Sequence, residues 1–475
     1  MNSDLELPAT NPLLDGLSPF IPYSRMPAAL LCEPLDRIPW RTVAPADREP
    51  FLEKFKDHFF PTTFGINLAT RVECAIRDGL ERRDPRTPSE QWRINQLYML
   101  SKDNVEILPS LTNPAVGGIL DGWTGSGKSS LLKRTLCTIA SRQVLKHPRS
   151  EACGWSTLTQ IPYLYVDFPS NGTRGALVIR VLAAIDALIG TNYVTACLRL
   201  RNLDAALLFV MKVLSVHRVG MLVLDEAQPE TFDQSTWFRE LATFFLALLN
   251  LGIPTFLCGH PRAFEALERK AQLSRRFADI GHFRLRRAAS DSDAWWFKEL
   301  APGIIRFRVC ERLVDESEIV ATSRVRSGGV PGIFVRLWVE AQRIALRRCR
   351  VTAELTIADL DEAARVPEIS DLLKMATWLE ADKPDDLAYD DLERYGPGDT
   401  GATTADTSDP VDGATPLSAS SADAATELRK RLQQDKKKAD AAKKRDEQLR
   451  KSARPGDLRV ERIINVLAGL DANAR

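Results

Sequence analysis

Length, composition and charge already limit what this chain can be. Its 475 residues are enough for about three structural units of ordinary size. A net charge of +1, a hydrophobic fraction of 44% and a charged fraction of 27% exclude a globally basic histone-like binder, a globally acidic protein, wholesale disorder, collagen and a membrane bundle. Any site for nucleic acid must therefore be local.

The cysteines and the apolar stretches bear on the compartment. The eight cysteines are spread singly, without a Cys-x-x-Cys pair, so neither a zinc knuckle nor a disulfide framework is indicated. The N-terminal residues include early acids and lack the basic-then-apolar region of an export signal. The longest uncharged stretch, 241–260, is split by Asn250, Gly252 and Pro254 into a helix end, a turn and a short strand. We expect a protein of the reducing cytoplasm without a membrane-spanning segment.

The first half of the chain changes from an irregular segment to an alternating pattern. Residues 1–57 are rich in proline and leucine without a sustained period, which predicts an extended N-terminal arm with aromatic anchors. A helical pattern covers 59–100. The strand candidates that follow are 116–121, 162–168, 220–226, 253–258 and 304–309. Because helical stretches separate them, we predict an α/β fold with a mostly parallel sheet flanked by helices, over a core of residues 58–310.

The C-terminal part of the sequence is helical at first and then biased in charge. The pattern of 311–379 predicts a small helical lid. Residues 380–426 are acidic and rich in Gly, Ser, Thr and Pro, which is typical of a flexible linker. Residues 427–475 form a basic tail that ends in an apolar segment, DLRVERIINVLAGL, with the spacing of a docking peptide. A tail that only aids solubility is the alternative.

The strongest motif is GWTGSGKS, which fits the P-loop pattern between a predicted strand and a predicted helix. Its glycines let backbone N–H groups surround phosphates at a helix N-terminus. Lys128 would place its ammonium beside the β- and γ-phosphates, and the Ser129 hydroxyl would bind Mg²⁺. A chance glycine-rich turn is the alternative, but it does not account for the flanking strand and helix. The predicted nucleotide-binding residues are Gly122, Trp123, Thr124, Gly125, Ser126, Gly127, Lys128, Ser129 and Ser130.

The second motif, GMLVLDEAQ, is an apolar strand that ends in two acids. An acid at such a position holds Mg²⁺ through water, and the next acid polarises the attacking water. We therefore predict Asp225 beside Ser129 at a magnesium site and Glu226 as the base for ATP hydrolysis. A pair of acids at a helix N-terminus is the alternative, but it does not explain two phosphate-site motifs in one alternating pattern.

Three weaker signals concern the γ-phosphate. The strand IPTFLC runs towards His260, which would be either a γ-phosphate sensor or a surface residue. QLSRRF places Arg275 and Arg276 at an exposed helix end, where one of them would reach the γ-phosphate of a neighbouring subunit as an arginine finger. An ordinary solvated pair is the alternative. The helix that follows SGGVPG displays Arg336, either a phosphate sensor from the lid or a surface charge.

Together these motifs resemble those of AAA+ ATPases. More narrowly, they are similar to TnsC, the ATP-dependent target-selection regulator of heteromeric bacterial cut-and-paste transposons, with TniB and MuB as relatives. The resemblance spans roughly residues 11–350 and rests on NPLLDGLSPF, GWTGSGKSSLL, DFPSNGTRGALVIR, GMLVLDEAQ, FLCGHPRAFEAL, LSRRF and SGGVPGIFVRL. One departure is His260, where the family often has threonine.

The resemblance implies an AAA+ P-loop NTPase of the bacterial cytoplasm with a small C-terminal helical lid. Such a protein binds ATP and Mg²⁺ and forms a homo-oligomeric ring or filament around double-stranded DNA. Its implied partners are transposase subunits of the TnsA and TnsB type and a target selector of the TniQ or TnsD type. The implied DNA contacts are mostly to the backbone, which a chain of neutral net charge can make through a local basic line. The candidates are Ser170, Asn171, Thr173, Arg174, Arg199 and Arg201.

Two other classes of function stay open at the level of sequence. An AAA+ replication initiator or helicase loader would share every ATPase motif, but it would carry a winged-helix module after the lid, where this chain has linker and tail. A nucleotide switch that binds proteins would not touch DNA. A salt-dependent shift of DNA in the presence of ATP would exclude that switch.

Overall fold

The computed structural model describes residues 10–100, 109–170, 172–200, 202–228, 238–268, 271–349 and 351–380. These residues belong to one compact unit, Met1–Ala405. The predicted basic tail and nearly all of the predicted linker lie outside the described residues.

The centre of the molecule is a five-stranded parallel sheet with the order β4-β5-β6-β1-β7. Two small two-stranded pairs, β2 with β3 and β8 with β9, lie outside it. The predicted α/β class with a parallel sheet is thereby confirmed. In chain order the strands are β1 (Gly117–Gly122), β2 (Leu145–His147), β3 (Leu158–Gln160), β4 (Leu164–Asp167), β5 (Leu222–Ala227), β6 (Thr255–Gly259), β7 (Gly281–Leu285), β8 (Arg312–Leu313) and β9 (Glu354–Leu355).

Helices connect the strands of the central sheet. The helices that follow the sheet, between residues 316 and 380, form the lid. None of the described helices is long and apolar enough to cross a membrane. In chain order the α-helices are α1 (Met26–Leu30), α2 (Thr63–Glu81), α3 (Pro88–Met99), α4 (Lys128–Ile139), α5 (Arg174–Ile189), α6 (Tyr193–Leu198), α7 (Leu203–Val216), α8 (Phe238–Asn250), α9 (Glu265–Glu268), α10 (Ala271–Ala278), α11 (Ala301–Ile305), α12 (Glu316–Ser327), α13 (Pro331–Arg348), α14 (Ile357–Ala363) and α15 (Pro367–Glu380).

One predicted strand, 304–309, is wrong. Ile304 and Ile305 end α11, and the residues after them are held by lid side chains. Trp338 Nε1 donates to the carbonyl oxygen of Phe307 at 2.8 Å, and the amide of Val309 donates to a lid glutamine at 2.8 Å. Alternating apolar and arginine residues imitated the period of a strand, while tertiary partners took the backbone hydrogen bonds.

The fifth strand of the sheet is instead β7, which the sequence analysis missed. Its sequence, GHFRL, is short and partly polar, because β7 is an edge strand whose neighbour is β1 alone. Only its first and last residues, Gly281 and Leu285, are buried. Such a strand lacks the apolar run by which buried parallel strands are recognised.

The sheet separates two apolar cores. Alternate residues of β1 point to opposite faces, so Ile119 enters a core with α5, α7 and α8, whereas Leu120 enters a core with α2 and α4. Burial on both faces accounts for the nearly continuous apolar runs of β1, β5 and β6. The packing on both faces therefore fixes the positions of these strands, whose carboxyl ends lie side by side at one end of the sheet.

The N-terminal segment consists of short turns, of which the first pack on α2 and α4 and the last pack on the lid. Residues 10–57 form short 3₁₀ turns and α1, and Trp40 and Leu52 enter the same apolar core as Phe334 and Trp338 of α13. Prolines at the first positions of several turns fix the local backbone and prevent a longer helix. The aromatic anchoring that the sequence suggested is therefore present at Trp40.

Candidate active site

The P-loop connects the end of β1 to the start of α4. Gly127 lies directly before α4 with φ +93°, a conformation that only glycine adopts without strain. This turn aims the first amides of α4 into the space beyond β1, where the helix N-terminus favours anions. Thr124 and Ser130 are exposed around this space, while Ser126 is buried.

Lys128 lies at the start of α4 and bends back over the loop. Its Nζ donates to the carbonyl oxygens of Gly122 at 2.6 Å and of Trp123 at 2.8 Å. Burial lowers the pKa of Lys128, and the nearby carboxylates of Asp225 and Asp121 oppose that shift. Phosphate oxygens at this site would compete with the two carbonyl oxygens for the ammonium group.

Asp225 joins the P-loop to the second motif. The Ser129 hydroxyl donates to Asp225 Oδ2 at 2.5 Å, although Ser129 lies on α4 and Asp225 lies on β5, far away in the chain. Burial by itself raises the pKa of Asp225, but hydrogen bonds from Cys258, Ser129 and Tyr165 hold it below its ordinary value. The carboxylate is therefore charged at neutral pH and faces the P-loop.

Two of these partners were missed by sequence reasoning. Tyr165 on β4 donates its hydroxyl to Asp225 Oδ2, and Cys258 on β6 lies on the other side of the same carboxylate. The carboxyl ends of neighbouring parallel strands lie side by side at one end of the sheet. Polar residues near the ends of β4 and β6 were therefore the sequence signal that could have indicated these two partners. Burial and the Asp225 carboxylate raise the pKa of Tyr165, which keeps the phenol protonated as a donor.

Glu226 has an unusual backbone conformation. Its φ is +60°, which is rare for a residue other than glycine and costs about 1–3 kcal/mol. The register between β5 and β6 shifts between Leu224 and Ala227, and the Glu226 amide donates to Asp225 Oδ1 at 2.8 Å. This irregularity buries Asp225 and exposes Glu226 at the same strand end. Backbone strain of this kind is typical of functional sites.

The residues present fit a magnesium ion. Ser129 Oγ and Asp225 Oδ2 are both oxygen donors, and they lie close enough to share one small cation with the phosphates of a nucleotide. Mg²⁺ commonly takes only one or two protein ligands and completes its shell with phosphate and water. Among the described residues, no cluster of three or more His, Cys, Asp or Glu suggests a different metal.

A cavity of about 830 Å³ opens beside the P-loop. Gly125, Ser126, Gly127 and Ser130 form its P-loop side. Its remaining walls come from residues 32–64, from α4, from residues 285–304 and from the start of α13, which were not among the predicted nucleotide-binding residues. The main residues of these walls are Cys32, Phe55, Lys56, His58, Phe59, Phe60, Thr62, Phe64, Lys133, Arg134, Trp295, Gly303, Ile304, Pro331, Gly332 and Val335.

The two predicted sensor residues lie in different surroundings. His260 is buried at the end of β6, and its Nδ1 accepts a hydrogen bond from the Arg262 amide at 3.3 Å. It therefore caps the turn Pro261–Phe264. Arg336 is exposed on α13, one residue beyond the cavity-lining Val335. Both sensor roles stay predictions.

The two candidate arginine fingers lie on α10, directly before β7. Arg275 is exposed and Arg276 is half-buried. The helix α10 packs on β1 and β7. The proposed base Glu226 of the same chain lies on a different strand, β5. Arg275 is thus the one of the pair with a side chain available to a second molecule.

The DNA candidates that the structure describes follow the edge strand β4 in the chain. Ser170 is exposed, and Thr173 caps α5 by accepting a hydrogen bond from the Ala176 amide at 3.3 Å. Arg174 is the half-buried first residue of α5, and Arg199 is exposed after α6. Two further candidates lie outside the described residues. They are Asn171 and Arg201.

Comparison with protein families gives one match. Residues 117–287 match the model described as bacterial TniB protein. This range starts at β1 and ends just after β7, so it contains the whole central sheet. The match confirms the predicted resemblance to TniB over these residues. No curated protein matches the chain.

Several solved structures show a distant similarity to parts of this chain. Cdc6p from Pyrobaculum aerophilum is 15% identical, covers 60% of this chain and 70% of its own, and has a TM-score of 0.36. The Aeropyrum pernix Orc1 protein in complex with DNA is 16% identical, with coverages of 59% and 68% and a TM-score of 0.35. A Walker-type ATPase of Pyrococcus abyssi is 19% identical, with coverages of 56% and 70% and a TM-score of 0.33. Likenesses at this level say nothing about what this chain binds.

Proposed function

We propose that this chain, an AAA+ P-loop ATPase whose residues 117–287 are of the bacterial TniB type, hydrolyses ATP and assembles on double-stranded DNA during transposition. The observation that carries the ATPase part is the 2.5 Å contact between Ser129 Oγ and Asp225 Oδ2. It joins two phosphate-site motifs at one edge of the sheet. The TniB match supports the link to transposition.

In the proposed reaction the P-loop binds and orients the triphosphate. The amides at the start of α4 and the Lys128 ammonium surround the phosphate oxygens, and Lys128 exchanges its two carbonyl partners for them. Ser129 and Asp225 hold Mg²⁺, which, when bound, neutralises charge on the β- and γ-phosphates. Tyr165 and Cys258 keep Asp225 ionised and oriented.

The proposed base is Glu226. Its carboxylate is exposed at the end of β5, next to Asp225, where it can accept a proton from the water that attacks the γ-phosphate. The strained backbone at Glu226 supports this role, because strain of this kind is typical of functional sites. Replacement by glutamine removes the base and keeps the size of the side chain.

A homo-oligomer would complete the site. We propose that Arg275, exposed on α10, reaches the γ-phosphate of the adjacent subunit as the arginine finger, with Arg276 as the alternative. A finger supplied by a neighbour makes hydrolysis depend on assembly. Because assembly in turn follows DNA binding in this proposal, DNA would stimulate hydrolysis.

The proposed DNA contact is the edge after β4, where Ser170, Thr173 and Arg174 precede or begin α5. Contacts of this kind to phosphates fix position and carry no sequence information. Target choice would therefore come from a selector of the TniQ or TnsD type, and the assembled ATPase would pass the site to transposase subunits of the TnsA and TnsB type. We place this activity in the bacterial cytoplasm, which the eight free cysteines fit.

The test is ATP hydrolysis and sedimentation of the full chain with and without random-sequence duplex DNA. We expect ATP to drive large assemblies on DNA, Lys128→Ala to abolish them, and Glu226→Gln to trap them by blocking hydrolysis. Lys146→Ala, which changes an exposed lysine on β2, is the matched control and should behave as the wild type.

The outcomes separate the alternatives. A protein that hydrolyses ATP but stays monomeric and ignores duplex DNA would contradict the transposition role and favour a protein-binding nucleotide switch. A protein that binds DNA and loads a replicative helicase would favour the initiator or loader. Loss of hydrolysis with Lys146→Ala as well as with Lys128→Ala would show that the assay reports on folding instead of on the P-loop.

A further inference from the structure

The second residue of the P-loop points away from the phosphate site. The Trp123 ring is only 4% exposed and packs in a small apolar cluster with Val330, Ile333 and Ala376 of the lid. Leu372 and Leu373 of α15 pack against the same cluster. A tryptophan from the phosphate-binding loop therefore lies between two lid helices.

The backbone of the lid also touches the P-loop at this point. The amide of Gly332, at the start of α13, donates to the carbonyl oxygen of Gly125 at 2.8 Å. A Cβ atom at position 332 would lie 2.8 Å from that oxygen, so the close approach requires glycine. The SGGVPG segment that the sequence singled out thus serves as the contact between lid and P-loop.

A third element closes the cluster. The guanidinium of Arg287, in the segment after β7, lies 5.9 Å from the centre of the Trp123 ring and donates to the carbonyl oxygen of Gly328 at 3.4 Å. The amide of Ala288 donates to the carbonyl oxygen of Gly329 at 3.1 Å. Trp123 is held from the lid and from the end of the sheet together.

The same tryptophan contacts the lysine that binds phosphate. Lys128 Nζ donates to the Trp123 carbonyl oxygen at 2.8 Å. We propose that Trp123 is a positioning residue that couples phosphate binding at the P-loop to the position of the helical lid. This inference rests on the proposed ATP binding and adds the side chain through which the lid responds to it.

Close packing around Trp123 transmits a change in the P-loop to the lid. When phosphate oxygens draw the Lys128 ammonium away, the Trp123 carbonyl loses its partner and the loop backbone adjusts. A buried ring in a close-packed cluster cannot shift without moving its neighbours, so the adjustment reaches Val330 and Ile333 at the start of α13. Val335, on the next turn of α13, lines the cavity beside the P-loop. Lid position and nucleotide affinity therefore change together.

The experiment compares the wild type with Trp123→Leu and Trp123→Phe. Titration with a fluorescent ATP analogue measures affinity, and hydrogen exchange of residues 328–337 with and without ATP measures the lid. We expect ATP to slow exchange there in the wild type. Trp123→Leu should lower affinity about tenfold and abolish the ATP-dependent change in exchange. Trp123→Phe, which keeps an aromatic ring, should restore most of both.

A lid-side variant tests the coupling where Trp123→Leu is poorly folded. Ile333 packs on Trp123 but does not line the cavity. Ile333→Ala should therefore weaken ATP binding about threefold and reduce the ATP-dependent change in exchange, because it removes a lid side chain that packs on the Trp123 ring. Trp92→Ala, at a 63% exposed tryptophan on α3, is the control and should change neither readout.

The results distinguish this inference from the proposed function. If the wild type does not bind ATP, the proposed ATPase function fails. If the wild type binds ATP and a folded Trp123→Leu or Ile333→Ala protein keeps both its affinity and its ATP-dependent exchange, the coupling is wrong and Trp123 is a packing residue only. Thermal unfolding of each variant establishes which proteins are folded.

Discussion

The two ends of the proposed ATP site are built in different ways. The phosphate end consists of Gly122–Ser130 with Asp225 and Glu226, which come from two short, recognisable motifs. The lid end consists of the other walls of the cavity, contributed mainly by residues 55–64, 300–304 and 331–335. These pieces are distant in sequence and share no motif. The residues that recognise phosphate therefore lie in short sequence motifs, whereas the residues of the lid end come together only in the folded chain.

The difference follows from what each end has to do. Phosphates are bound by backbone amides, one ammonium and a metal, and this chemistry fixes residue types and their spacing. The lid end is lined largely by apolar and aromatic side chains, and many combinations of such residues would form a cavity of similar shape. Substitutions at the phosphate end should act on chemistry, and substitutions at the lid end on affinity for the nucleotide as a whole.

The largest effect is expected from Asp225→Asn. The substitution keeps the shape of the side chain but removes the charge that faces Ser129, so hydrolysis should fall about 100-fold or more, as expected for the loss of a metal-bound carboxylate. Steady-state hydrolysis at saturating ATP and Mg²⁺ measures it. Asp204→Asn, at an exposed position on α7, is the control.

The pH dependence of the wild type sharpens this prediction. The pKa of Asp225 lies below its ordinary value of about 3.9. The carboxylate is therefore ionised above that pH, and its protonation removes the ion only as the pH falls through the lowered pKa. The wild type should therefore keep Mg²⁺-dependent ATP binding between pH 7 and pH 5. If the wild type loses binding in this range and Asp225→Asn does not, Asp225 titrates there, which would contradict its lowered pKa.

The next effect tests the lid end. Val335→Trp would fill part of the cavity from the lid, and a steric cost of about 1–3 kcal/mol should weaken ATP binding about 5- to 150-fold. Affinity for inorganic triphosphate should change little, because that ligand needs only the phosphate end. Competition titrations with both ligands measure the difference. Val325→Trp, at a half-exposed valine of α12, provides the same substitution away from the cavity. Equal losses for ATP and triphosphate would remove the distinction between the two ends.

A smaller effect is expected at Tyr165, a residue that supports the phosphate end without belonging to either motif. Tyr165→Phe removes one donor to Asp225, so the Mg²⁺ concentration for half-maximal hydrolysis should rise about tenfold, with a smaller change at saturating Mg²⁺. Tyr163→Phe, whose hydroxyl lies beside Cys137 instead, is the matched control. An unchanged Mg²⁺ requirement would limit Tyr165 to packing.

The extent to which the sequence predicted the molecule follows the same division. The P-loop, the acidic strand end and four of the five sheet strands were recognisable, because apolar runs and local motifs determine them. The sequence gives no clear signal for β7, because an edge strand needs few apolar residues. Residues 304–309 have the alternating pattern of a strand, but lid side chains take the backbone hydrogen bonds that a strand would need. Tyr165, Cys258 and the lid end of the cavity depend on contacts between distant segments, which a single sequence does not contain.

The smallest effect concerns the attachment of the N-terminal segment to the lid. Arg48 is 2% exposed, lies against Trp40 and pairs with Glu311 at 2.5 Å, which fixes the segment that leads to the lid end of the cavity. Burial tends to raise the pKa of Glu311, but the hydrogen bonds from Arg48 and from backbone amides, together with the Arg48 charge, lower the pKa below its ordinary value. The stability gained from this charge is therefore fully present above about pH 4.3 and is lost as the pH falls through the lowered pKa.

Glu311→Gln should accordingly lower the free energy of unfolding at pH 7 by less than ~1 kcal/mol, because Glu311 is partly exposed and water screens the pair. The difference from the wild type should shrink towards zero as the pH falls below about 4, where the wild-type carboxyl is also neutral. Urea unfolding at pH 7 and at pH 3.5 measures both values. Glu53→Gln, at an exposed acid of the same segment, should leave stability unchanged at pH 7. A Glu311→Gln difference that persists undiminished at low pH would mean that the side chain contributes through packing, and that the charge does not hold the segment against the lid.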